Sequence, residues 1–204
     1  MSPRSRLRLA AAVLCSLLAA PLGAQAAPAA QDARPTVAVM YFSNGALLRR
    51  SDYESLSKGI ADMLITGLST NDRIRVVERD QLQRILDEGT LGTSYRVDPE
   101  TAVRLGRILG AHHMVFGGFI IEDGGRMRID ARAVNVETSE IEYVESVTSK
   151  TSKLFETVDD LAARINKGMK LPPMPPRPRL PESARPRAER WAVLYSRALV
   201  MEDE

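Results

Sequence analysis

The stretch that decides the fold is His113-Met114-Val115-Phe116-Gly117-Gly118-Phe119-Ile120-Ile121, then Glu122-Asp123-Gly124-Gly125, then Arg126-Met127-Arg128-Ile129-Asp130-Ala131-Arg132-Ala133-Val134-Asn135-Val136. The first run is apolar on both faces, as a strand in the middle of a sheet must be. The Asp-Gly-Gly sequence supplies the positive-φ residues of a tight hairpin. The second run alternates, with Met127, Ile129 and Ala131 inward and Arg126, Arg128, Asp130 and Arg132 outward. The alternation shifts near Ala133-Val134, which predicts a bulge. Glu137-Thr138-Ser139-Glu140 is the next turn, and Ile141, Tyr143 and Val147 mark one face of a third strand.

Upstream, Thr36-Val37-Ala38-Val39-Met40-Tyr41-Phe42 reads as a buried strand bounded by Ser43-Asn44-Gly45. Ser51-x-x-Glu54 has the form of a capping box. Behind it Leu56, Ile60, Met63, Leu64 and Leu68 fall on one helical face. Arg73–Glu78 predicts a second strand, and Asp80 a cap for a short helix bearing Leu82, Ile85 and Leu86. Asp98-Pro99-Glu100 opens another helix, with proline at its first position. Ala102, Leu105, Ile108 and Leu109 face inward there, and Gly110 ends it. Ser152 is read as the cap of a closing helix with Leu154, Val158, Leu161, Ala162 and Ile165 on one stripe. The predicted order is β-α-β-α-α-β-β-β-α, an α/β (α+β) fold whose mixed sheet ends in an antiparallel meander packed with helices.

The ends of the chain read differently. Residues 1–26 have the form of a secretory signal: Arg4, Arg6 and Arg8, an apolar run from Leu9 to Leu22, and cleavage expected after Ala26 at Ala24-Gln25-Ala26. Cys15, the single cysteine, lies inside that run behind Leu14, so no lipid anchor is expected. A thiol-free secreted chain suits the periplasm of a Gram-negative cell, peripheral at the outer membrane. No other run is long enough to span a bilayer as a helix, and no transmembrane insertion is expected. Residues 27–34 form a flexible lead and residues 35–169 the domain. Residues 170–187 hold seven of the twelve prolines and read as a stiff linker. A last helix over 188–204 carries Trp191, Leu194, Tyr195 and Ala198 on one stripe, with the spacing of the first helix of a tetratricopeptide repeat. Three readings of it stand: a partner-docking helix, a helix folded back on the core, or the remnant of a longer array.

The 204 residues carry 28 Lys and Arg against 26 Asp and Glu, which excludes a nucleic-acid binder argued from bulk charge. One cysteine excludes a disulfide framework and a cysteine-rich zinc site. His112 and His113 are neighbours on a strand, so they point to opposite faces and are poorly placed to share a metal. Asp87-Glu88, Glu122-Asp123 and Asp159-Asp160 read as solvated faces. No phosphate loop and no nucleophile elbow is present. The sequence assigns no catalytic, cofactor-binding or metal-binding residue, no cofactor and no enzymatic activity. The arginines of the 126–132 strand are expected to pair across to Glu140, Glu142 and Glu145.

Four segments together carry a resemblance: Val37–Phe42; Gly59–Leu64 with Val76–Leu82; Met114–Ile120; and Val134–Ile141 followed by Thr148–Thr151. Over about residues 36–166 the chain resembles the CsgG-type family of curli assembly and secretion proteins (CsgG/HfaB), related to TolB amino-terminal, LpoB and FlgO-like periplasmic domains. The resemblance implies a periplasmic domain that binds cell-envelope proteins, with homo-oligomers in some members. Pore-forming members of the family insert membrane-spanning hairpins of about 20 residues. Here Ile121 and Met127 are separated by five residues, and Lys150 leads almost directly into the Leu154 helix. The expected role is therefore scaffolding or regulation of an envelope assembly, with an accessory, non-pore subunit of a curli-type export apparatus as the alternative.

Overall fold

The computed structural model describes residues 32–46, 50–88, 98–176, 194–198 and 200–201. The predicted signal segment with its cleavage at Ala26, most of the proline-rich linker, and Trp191 lie outside these residues.

The meander forms where the alternation places it. β4 (His113–Ile121), β5 (Arg126–Asn135) and β6 (Ile141–Lys150) are joined antiparallel in sequence order. Gly124 and Gly125 turn the first hairpin at φ 84° and 75°, and Ser139 takes φ 63° in the second. β1 (Thr36–Val39) lies parallel to β4 on one side and to the two-residue β3 (Arg75–Val76) on the other. The strand order is β3-β1-β4-β5-β6, with β2 (Ser43–Asn44) added alongside β4. β4 is thus the central strand its composition predicts. Gly117 has a specific reason: a Cβ there would lie 2.0 Å from the Asp130 carbonyl oxygen of β5. At Gly118 the obstacle would be Ser43 Oγ, 2.4 Å away.

Helices cover both faces. α1 (Leu56–Ser69) and α4 (Leu154–Gly168) pack on one, where Val37, Val39, Val115, Met127, Ile129 and Ala131 meet Ile60, Leu64, Leu68, Val158, Leu161 and Ile165. α2 (Arg79–Asp87) and α3 (Pro99–Leu109) cover the other over β1 and β4, with Met114, Phe116, Leu82, Leu86 and Leu105 between them. Each buried side chain of this size contributes about 1.5–3 kcal/mol relative to exposure. Residues 34–204 form one unit, with the division falling between Ala33 and Arg34.

Several local expectations are corrected. Ser51 caps nothing in the expected way: Arg50–Tyr53 is a 3₁₀ turn and the helix begins at Leu56. Glu54 is drawn instead to the Asn44 amide, 3.1 Å away. Asp80 lies inside the first turn of α2, two residues past the capping position at Glu78, and faces Arg79 at 3.6 Å. Ser152 falls in a second 3₁₀ turn, Thr151–Lys153, so α4 starts behind Lys153. Ile108 is 49% exposed because the inner stripe of α3 runs through Ala102, Leu105 and Gly106.

The bulge lies where expected, between Ala133 and Val134 in register, with Glu142 as the extra residue of β6. It throws Ile141 out of phase with Tyr143 and Val147, and Ile141 is exposed. The expected Arg–Glu ladder does not form. Arg128 pairs with Asp130 on its own strand, Glu142 reaches His113, and Glu145 reaches Arg164 of α4.

At its far end the domain closes over the start of the linker. Leu171 is buried, and Asn71 and Asn166 both donate to the Pro172 carbonyl, at 2.7 and 3.0 Å.

Candidate functional site

Two connections leave the carboxyl ends of neighbouring parallel strands and go to opposite faces. The chain after β1 leads to α1, and the chain after β3 leads to α2. Between such connections an open α/β sheet leaves a crevice, the usual place for a ligand. Here it is a cavity of about 910 Å³. Met40, Phe42, Leu82, Leu86 and Leu105 give it an apolar floor. Arg50, Glu54, Lys58 and Asp87 stand among its walls.

The loop after β1 builds most of it. Met40 N–H donates to the Val115 carbonyl at 2.8 Å, which carries the chain one residue past the strand. Tyr41 then turns its hydroxyl to Gln83 Oε1 of α2 at 2.6 Å, and Gln83 donates onward to Asp87 at 2.7 Å. Lys58 Nζ lies 5.5 Å from the centre of the Tyr41 ring, a cation–π distance. Asn44 is buried and fully used, donating to the Arg50 carbonyl and Glu54 and accepting from Ala46 N–H. Ser55 Oγ, also in the lining, is buried with no hydrogen-bond partner among the described residues. No histidine or cysteine is among the described lining residues.

The C-terminal helical residues 194–198 and 200–201 supply the remaining wall through Arg197, Val200 and Met201. Their anchor is Ser196, fully buried against Gly59 of α1. A Cβ at Gly59 would lie 1.8 Å from Ser196 Oγ, so glycine is what lets the two backbones approach. Beside it Tyr195 donates its hydroxyl to Asp62 at 2.5 Å, and Asp62 faces the buried Arg79 at 3.6 Å.

The described members of the predicted docking stripe lie on one side of the seated residue. Leu194 (44% exposed), Tyr195 (41%) and Ala198 turn outward, and the seated residue is Ser196. Periodicity missed Ser196 because a small polar residue carries no hydrophobic signal. It missed Tyr41 because that residue sat inside an apolar run.

The two histidines face apart as expected. His112 Nδ1 accepts from Thr36 N–H at 3.0 Å, and His113 Nδ1 lies 2.5 Å from Glu142. Among the described residues no three His, Cys, Asp or Glu side chains are grouped to hold a metal ion.

Fold and crevice together define a mixed-sheet α/β domain with helices on both faces and an apolar, charge-rimmed cleft at its switch point. The chain belongs to the CsgG family, whose model, described as the curli production assembly/transport component CsgG, matches residues 18–125. That membership points to the cell envelope. No helix among the described residues is long and apolar enough to cross a membrane.

Among solved structures the chain is similar to the LpoB C-terminal domain from Salmonella enterica (14% identity, TM-score 0.43, 57% of this chain and 82% of that one). It is also similar to TolB from Acinetobacter baumannii (12% identity, TM-score 0.46, 67% and 28%). A third similar structure is the PelC dodecamer from Paraburkholderia phytofirmans (13% identity, TM-score 0.38, 67% and 89%). No curated protein matches the chain.

Proposed function

We propose that this chain is a non-enzymatic periplasmic domain that binds cell-envelope proteins and assists an outer-membrane or cell-wall assembly. The observation that carries this reading is the outward stripe on the C-terminal helical segment. Ser196 and the Tyr195 hydroxyl hold the segment to α1. Leu194 and Ala198 remain exposed beside Met201, which is 75% exposed at the rim of the cleft. An apolar edge next to an apolar cleft suits a partner that docks a helix or an extended apolar segment. Trp191, Leu194, Tyr195 and Ala198 are the residues proposed to meet it.

The test is site-specific photocrosslinking at Leu194 in intact cells, with a second probe at Thr66 on the exposed side of α1. A discrete adduct at Leu194 that is absent from Thr66 supports the reading. Equal or absent adducts at both sites overturn it.

The second reading, an accessory subunit of a curli-type export apparatus, is favoured by the family's own description. Against a pore stand the connections. Four residues join β4 to β5, and a 3₁₀ turn joins β6 to α4, where a membrane hairpin needs about 20 residues. Carbonate extraction of the envelope separates the two readings. Release into the soluble fraction favours the periplasmic binding domain, and retention in the outer membrane favours the export complex.

A further inference from the structure

The cleft after β1 has two unlike sides. Toward α2 and α3 it is floored by Leu82, Leu86 and Leu105, continued by Met40 and Phe42 of the loop after β1. Toward α1 and the C-terminal segment its lining carries Lys58 and Arg197. The contact that seats the segment also places these two cations. Ser196 rests on Gly59, and Lys58 and Arg197 are the adjoining residues of the two chain segments.

The charged groups of the lining are unequally committed. Both carboxylates have donors: Glu54 has the Asn44 amide at 3.1 Å and Arg50 at 4.0 Å, and Asp87 has the Gln83 amide at 2.7 Å. Lys58 Nζ lies 5.5 Å from the centre of the Tyr41 ring. The Arg197 guanidinium makes no hydrogen bond or ion pair among the described residues. The cleft thus offers an uncompensated cation on one side and a buried aliphatic floor on the other.

We propose that the cleft binds a single-chain amphiphile with an anionic end, a carboxylate or a phosphate. The alkyl chain lies on Leu82, Leu86 and Leu105, and the head lies at Arg197 with Lys58 beside it. A guanidinium suits either head, since it can donate two parallel hydrogen bonds to one anion. Asp87, at the end of α2, repels an anion and so sets the direction of the chain. The volume of about 910 Å³ falls within the roughly 300–1,000 Å³ of small-molecule sites. Met40 and Met201 supply flexible walls that adapt to chain length. An extended polypeptide fits less well, because every residue brings a backbone donor and acceptor that need partners. Tyr41, Gln83 and Asn44 are already bonded within the protein, whereas an alkyl chain asks nothing of them. The assignment goes beyond the partner stripe and does not rest on it, since neither Leu194 nor Ala198 lines the cleft.

The test is isothermal titration of the full chain with dodecanoate, dodecyl phosphate and dodecanol, each below its micelle-forming concentration. Saturable binding of an anion is expected, with dodecanol about tenfold weaker. From octanoate to dodecanoate the affinity should rise about fourfold per methylene while the floor still covers the chain. Arg197→Gln is expected to bring dodecanoate down to the level of dodecanol. Arg197 is exposed, so the melting temperature of that variant should hold. Tighter dodecanoate would identify a free fatty acid as the source of the head, and tighter dodecyl phosphate a lysophospholipid; both support the proposal. It is overturned by no saturable binding of either anion, by dodecanol as tight as dodecanoate, or by an anion preference that survives Arg197→Gln. An acetylated trileucine amide that binds as tightly as dodecanoate would also overturn it and give the cleft to a polypeptide.

Discussion

Tyr143 shows how one side chain ties a strand to a helix. Its ring lies where Gly168 has no side chain, since a Cβ there would be 2.2 Å from the ring, so the carboxyl end of α4 rests on β6. Its hydroxyl donates to Glu145, which also faces Arg164 of α4 at 3.4 Å. Burial first, and the Glu145 carboxylate beside it second, push the phenol up to about 12 from 10.0. A phenol whose folded pKa stands above its unfolded one stabilises the fold in full below pH 10, and that contribution disappears as pH rises toward 12. With solvent screening at this half-buried site the effect is on the order of 1 kcal/mol. Urea melts at pH 8, 10 and 11.5 are expected to show stability falling across the upper interval in the parent and falling less in Tyr143→Phe. Equal slopes in the two proteins would remove the argument. Asp130 balances the other way. Burial raises its carboxyl, but hydrogen bonds from Arg128 and Ser146 outweigh it and hold the group low.

At the scale of elements, α3 has both its ends written in the sequence. Asp98 accepts from Thr101 N–H at 2.9 Å, Pro99 takes the first position, and Gly110 closes the helix at φ 63°. The Thr101 N–H is also the main reason the Asp98 carboxyl lies below 3.8. Asp98→Ala is expected to cost about 1 kcal/mol in chemical denaturation at pH 7. A carboxyl depressed by folding stabilises above its unfolded pKa, and the benefit vanishes as pH falls through the folded value. The gap between parent and variant should therefore close below about pH 4, and a gap unchanged by pH would show that the cap is not its source. Caps of this kind were legible because a single residue makes them. The starts of α1 and α4 were not, because each is preceded by a 3₁₀ turn that displaces the capping position by several residues. The first hairpin of the meander was legible almost to the residue because both periods, apolar-through and alternating, were present with the hairpin glycines between them, whereas the bulge at Glu142 put Ile141 out of phase with Tyr143 and Val147. The Arg–Glu ladder failed because carboxylates on an edge strand can reach sideways. Glu142 found His113, and Glu145 found a helix.

At the scale of the whole molecule, the C-terminal segment is seated on α1 through Ser196 and Tyr195. α1 buries Ile60, Leu64 and Leu68 against the sheet and α4, and that contact does not involve residues 194–201. What the segment adds is Ser196 against Gly59, the Tyr195–Asp62 hydrogen bond and the cleft wall. This site was out of reach of sequence reading because its two key residues, Gly59 and Ser196, are small, far apart in the chain and neutral in every periodic pattern. Their smallness makes them separable by mutation. Glycine inside a helix costs about 1 kcal/mol relative to a good helix former, so Gly59→Met stabilises α1 locally while filling the seat of Ser196. The net change in global stability should be within about 1 kcal/mol, but the segment can no longer rest on α1. Limited proteolysis is expected to cut the variant C-terminal to Pro176 at least about tenfold faster than the parent, with the melting temperature shifted by under about 4 °C. A large fall in melting temperature would mean that the segment is part of the folding unit, and unchanged proteolysis would mean that Ser196 is not what holds it. If the segment is released and Leu194 then loses its crosslink in cells, docking depends on the segment being seated beside the cleft. If the crosslink survives, the helix alone is the binding element and the cleft serves another partner.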